Sequence, residues 1–66
     1  MDYKRYAKLR NEKGYSDADI SRMLGINQTN ISRIKLGRHR SLKPANMKKL
    51  ADVLGCSVAY LNGESE

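Results

Sequence analysis

A chain of 66 residues with one cysteine, Cys56, and one histidine, His39, can neither close an internal disulfide nor supply the four ligands of a structural zinc site. A domain of this size buries only about 60% of the surface its unfolded chain exposes, so the expectation is a single domain over 1–66, held by helix packing with dimerisation as a supplement. No stretch approaches the roughly 18 apolar residues of a membrane span, and Met1-Asp2-Tyr3-Lys4-Arg5 leads into no apolar run, so neither membrane nor export is expected and the cytoplasm is the natural compartment.

The net charge of +6 is unevenly placed. From Ile20 to Ala51 there is no acidic residue, while Arg22, Arg33, Lys35, Arg38, Arg40, Lys43, Lys48 and Lys49 fall inside that stretch. The acids stand outside it: Asp2, Glu12, Asp17 and Asp19 before, Asp52, Glu64 and Glu66 after. A one-signed middle between mixed ends is either a solvated face or a footprint for a polyanion, and charge alone does not choose.

In chain order, every long segment has helical rather than strand periodicity, which makes the fold class all-α. A first helix is expected from about Asp2 to Lys13, with Tyr3, Tyr6, Ala7 and Leu9 as its apolar stripe. Gly14 ends it, because glycine takes the left-handed cap without a steric penalty. Ser16-Asp17-Ala18-Asp19 reads as a second start, with Ser16 as cap, Asp19 as a shortened capping-box acid and Tyr15 placed to pack on Ile20. This helix is expected to bury Ile20, Met23 and Leu24 and to stop at Gly25. After the turn Gly25-Ile26-Asn27, Asn27 caps a third helix from Gln28 to about Lys35 or Leu36, anchored by Ile31 and Ile34 and closed by Gly37. The long loop 37–43 precedes Pro44, a suitable first residue for a fourth helix to Leu54 that turns Met47, Leu50, Ala51 and Leu54 inward. Gly55 stops it. Ser57 caps a last turn, Val58 to Leu61, before an acidic tail over 63–66.

Residues 17–36 form a unit of helix, glycine turn and helix. Apolar side chains at 20, 24, 26, 31 and 34 tie the two helices across each other at roughly a right angle, with small Ser21 at the crossing. The third helix is thus fixed by one face, and its N-terminal end stands free with Gln28, Thr29 and Asn30, followed by Ser32 and Arg33. Glutamine can bond adenine in a bidentate way, arginine can bond guanine, and a threonine methyl can meet that of thymine. The other reading of these residues is an ordinary solvated helix face. Beside a glycine turn and a basic loop, a helix that reads the major groove of double-stranded DNA accounts for more of the pattern.

Four linked stretches, Leu9-Arg10-Asn11-Glu12-Lys13-Gly14-Tyr15-Ser16, Ile20-Ser21-Arg22-Met23-Leu24-Gly25-Ile26, Ile31-Ser32-Arg33-Ile34, and Lys49-Leu50-Ala51-Asp52-Val53-Leu54-Gly55 with Tyr60-Leu61, resemble the Cro and lambda-repressor-like family of XRE-type helix-turn-helix proteins. The resemblance spans about Tyr6 to Gly63. It implies a compact five-helix domain whose third helix lies in the major groove, with Gln28, Thr29 and Arg33 as base readers and Ser32 as a weaker one. It implies backbone contacts from Asn27, Lys35, Arg38, Arg40 and Lys43, with Asn30 and Arg10 as further candidates. Phosphate contacts hold register and base contacts choose sequence. The chain departs from the family at Asp17, where glutamine is usual and often touches phosphate, so that contact is not carried over. Ser21 stands where many members have alanine. Lys35 stands where relatives tend to carry a carboxylate paired with Arg10, so Arg10 must find another partner or a phosphate. The loop after Gly37 is longer and richer in arginine than in common members, as an enlarged phosphate grip would be.

Elsewhere, His39 between two arginines is expected to be exposed, or to assist backbone binding when protonated. Cys56 is expected to be a half-buried core residue rather than a redox switch, and the four tyrosines core-edge packing rather than base-stacking platforms. Val58-Ala59-Tyr60-Leu61 either covers the local core or faces a second subunit. One histidine in a basic loop offers no nucleophile–base arrangement, so no enzyme, cofactor, metal or small-molecule substrate is expected. The expected function is a sequence-specific repressor of the phage or plasmid type, a homodimer on a palindrome with half-sites about 34 Å apart. The rival is an antitoxin-like or adaptor module whose basic face meets an acidic protein partner and binds DNA without sequence preference.

Overall fold

Four of the five helices among the described residues start where the sequence supplies a side-chain oxygen to cap them. The computed structural model describes residues 1–64, in which the helices are α1 (Tyr3–Glu12), α2 (Asp17–Leu24), α3 (Gln28–Lys35), α4 (Pro44–Leu54) and α5 (Val58–Leu61), with no strand among the described residues. Asp2 caps α1 by accepting from the N–H groups of Lys4 and Arg5. Ser16 and Asp19 form the full reciprocal capping box of α2, the serine oxygen accepting from the Asp19 N–H and the aspartate from the Ser16 N–H. Those Ser16 hydrogen bonds, with Arg22 nearby, hold the Asp19 carboxyl below the usual carboxylate range. The Asn27 and Ser57 side chains each accept one N–H, from Thr29 and Tyr60, at the starts of α3 and α5, and Pro44 opens α4 as its first residue. The tail expected over 63–66 runs past the described residues, since 65 and 66 lie outside them.

The turn between α2 and α3 depends on Gly25, whose φ of +68° lies in the left-handed region. Its N–H and that of Ile26 return to the last carbonyls of α2, with Ile26 reaching Ser21 O at 3.0 Å. This closes α2 within one residue and lets α3 begin at once. The core beneath is Tyr6, Ile20, Leu24, Ile31, Ile34, Leu42, Met47, Leu50, Ala51, Leu54 and Leu61. Helices α2 and α3 pack on each other, α4 packs on α2 and α5, and α1 lies against α5. The Asp2 N–H, donating to Leu61 O at 2.6 Å, joins the two ends of the described chain. No helix is long and apolar enough to cross a membrane among the described residues.

One expectation about the interior needs correction. Met23 does not join the buried side of α2; it is 44% exposed. The buried arc of that helix is centred on Ile20, Leu24 and Ser21, which leaves Met23 at its edge. Ser21, 6% exposed, is accommodated because its hydroxyl donates to Ala18 O at 2.8 Å, leaving no buried donor unpaired. The loop 37–43 also contributes to the interior. Leu42, 8% exposed, enters the core and pins the loop two residues before α4 begins.

At the other end, Leu61 is fully buried and Val58 packs on the core, so the last helix covers local structure. Tyr60 is half-buried and covered by the Arg5 guanidinium, 4.7 Å above its ring. Cys56 is half-buried against the core, and that burial raises its thiol pKa.

Candidate nucleic-acid interface

Helix α3 is amphipathic in a simple way: Ile31 and Ile34 are buried, and the opposite side meets solvent. Gln28, Thr29, Arg33 and Lys35 are exposed, while Ser32 and Asn30 are half-buried at the flanks. None of these six side chains has a hydrogen bond or ion pair among the described residues. The Asn27 side-chain oxygen is engaged, accepting from Thr29 N–H at 3.0 Å, so it fixes the start of the helix, and the residue is exposed. The free end of the helix is therefore well ordered by its cap and yet chemically unspent.

The loop that follows is braced on the same helix. The N–H groups of Arg38 and His39 both donate to Arg33 O, at 2.8 and 3.3 Å. The Met1 amino group donates to Arg40 O from the other side. Arg38, His39, Arg40 and Lys43 are all exposed. Between α3, this loop and the start of α4 lies a notch of about 280 Å³. Ile26 and Leu42 supply its apolar lining, and Asn30, His39, Ser41, Lys43 and Asn46 its polar lining, with no carboxylate. Asn46 was not foreseen, because nothing in its sequence neighbourhood signals that Leu42 folds the loop back toward it.

Charge is sorted by the fold. The ion pairs among the described residues are Arg5–Asp2, Arg10–Asp17 and Arg22–Asp19, so the acids of the first two helix starts neutralise neighbouring arginines. Arg33, Lys35, Arg38, Arg40 and Lys43 have no such partner. Low local negative charge and unpaired cations on one side give that side the potential that attracts a polyanion.

Arg10 is placed otherwise than as a backbone contact. Its side chain is 16% exposed, its Nε lies 3.2 Å from Asp17 Oδ1, and its Nη1 donates to Tyr15 O at 3.0 Å. The guanidinium also lies 5.6 Å from the centre of the Tyr6 ring. Its Nε–H contacts the carboxylate as an ion pair without meeting hydrogen-bond geometry. Asp17 further accepts from Tyr6 OH at 2.6 Å and Tyr3 OH at 2.9 Å. Burial, reinforced by these bonds to a carboxylate, raises the pKa of both phenols, Tyr6 far more than Tyr3. A guanidinium spent in this way is not offered to phosphate, and Arg10 is set aside as a DNA contact.

The site residues expected from sequence thus separate into two places. Gln28, Thr29, Ser32 and Arg33 share one face of α3, with Asn27, Asn30, Lys35, Arg38, Arg40 and Lys43 around it, whereas Arg10 belongs to the α1–α2 junction. Comparison with known proteins matches residues 7–61 to a family model described as helix-turn-helix. No curated protein matches the chain.

Proposed function

Because the chain belongs to the XRE-type helix-turn-helix family of DNA-binding regulators, we propose that it is a sequence-specific transcriptional repressor of the phage or plasmid kind, acting as a homodimer on a palindromic operator. The observation that carries this reading is the face of α3 opposite Ile31 and Ile34, where Gln28, Thr29 and Arg33 stand exposed with no side-chain partner among the described residues. In the proposed complex these three read base edges, with Ser32 beside them. Asn27, Asn30, Lys35, Arg38, Arg40 and Lys43 hold phosphates on either side. The longest extent of the protein, 28 Å, is shorter than the ~34 Å of one DNA turn, so one copy reaches one stretch of groove and a second copy is needed for a second half-site.

Selection from randomised duplexes at physiological salt tests the proposal. The expected product is a palindrome with half-sites one helical turn apart. On that site, Arg33→Ala or Gln28→Ala lowers affinity by about 1–3 kcal/mol and relaxes preference at particular base pairs. Arg38→Ala or Arg40→Ala weakens binding to all sequences alike and lowers the salt slope by about one. A selection that returns no preferred sequence, with a stoichiometric protein partner instead, would establish the adaptor reading in its place.

A further inference from the structure

The exposed face of α3 does not end at Arg33. Leu36, the C-cap of the helix, is 67% exposed and is not among the hydrophobic residues packed against the core. At 3.6 residues per turn it lies two turns beyond Thr29, opposite Ile31 and Ile34, at an angle between those of Ser32 and Arg33. It is therefore the apolar end of the row formed by the proposed base readers. Its surroundings are cationic: Lys35 beside it, Arg33 a turn before it, Arg38 and Arg40 just after, and no acid anywhere from Ile20 to Ala51. A lone leucine set among unpaired cations suits an occupant that is a polyanion with isolated apolar spots. The major groove has one such spot, the 5-methyl group of thymine.

We propose that Leu36 is a specificity-determining residue that packs against a thymine methyl in the major groove; this rests on the reading of α3 as the recognition helix. The rise of the helix places Leu36 about 10 Å beyond Thr29, or about three base-pair steps of ~3.4 Å. The thymine it senses accordingly lies about three base pairs from the one whose preference Thr29 controls. One buried methyl is worth about a fourfold change in affinity per half-site.

The test replaces each operator thymine in turn by deoxyuridine, symmetrically in both half-sites, and measures binding of the unaltered protein and of L36A. The expected result is one position at which loss of the methyl costs the unaltered protein about fourfold per half-site and costs L36A nothing. L36A should melt at the same temperature as the unaltered protein, because an exposed side chain contributes little to folding. An uracil profile of L36A identical to that of the unaltered protein overturns the proposal while leaving sequence-specific binding intact. So does an identical profile accompanied by dissociation of L36A into monomers in sedimentation, which would assign Leu36 to a second copy. Absence of any preferred operator removes the recognition-helix reading itself, and this proposal with it.

Discussion

At the scale of single residues, Asp17 links two of this chain's departures from the family pattern, its own and that at Lys35. Where relatives tend to pair Arg10 with a carboxylate on the third helix, this chain has Lys35 there, and the carboxylate comes from the first residue of α2 instead. Lys35 is thereby exposed and uncommitted, while Asp17 gathers Tyr3, Tyr6 and Arg10 from α1. Asp17→Ala should destabilise the fold by about 1–3 kcal/mol in urea denaturation, since it strands two phenols and a largely buried guanidinium. The raised pKa of Tyr6 carries a pH dependence of definite sign. Its stabilising effect is complete below about pH 10, where the unfolded phenol is still protonated. It is lost progressively as pH rises further, because the unfolded chain ionises while folded Tyr6 holds its proton. Stability measured against pH should fall above about pH 10, and Tyr6→Phe should flatten that fall while lowering the stability at neutral pH.

At the scale of elements, α3 is a short helix of 8 residues, and isolated helices of such length are marginal in water. Its order comes from three sources: the Asn27 cap, the two isoleucines and the turn at Gly25. The turn can be tested separately from packing. A Cβ added at Gly25 would meet nothing within 4 Å, so the cost of Gly25→Ala is backbone strain at positive φ alone. That cost is about 1–2 kcal/mol. Gly25→Asn should lose less, since asparagine tolerates the left-handed region. Thermal unfolding of the two variants distinguishes this account from one in which the glycine makes room for a close contact, where both would lose alike.

At the scale of the whole molecule, the helices share one core. Leu50 on α4 is fully buried in it, and α4 packs on both α2 and α5. Leu50→Ala should cost about 2–5 kcal/mol, a large share of the stability a domain this small can have. Urea titration should find the protein largely unfolded or close to it at ambient temperature. The same packing sorts charge: it sets the arginines of α1 and α2 against nearby acids and leaves those of α3 and the following loop without an ion-pair partner among the described residues. Binding to nucleic acid should then depend on salt through the cations after Ile31, and little through Arg5, Arg10 or Arg22.

Local rules written in the sequence determined the helix limits, because caps such as Ser16 and Asn27 and the stop at Gly25 act within a few residues of themselves. They also determined which face of α3 is apolar, since Ile31 and Ile34 recur at helical spacing among polar neighbours. Only the tertiary structure decided where residues distant in sequence meet. It exposed Met23, drew Leu42 out of a polar loop into the core, spent Arg10 on Asp17, and left Leu36 in solvent at the end of the polar face of α3. The physical reason is that periodicity states which side of a helix is apolar, but not which neighbour covers it or which of several opposite charges comes within reach once the helices have packed.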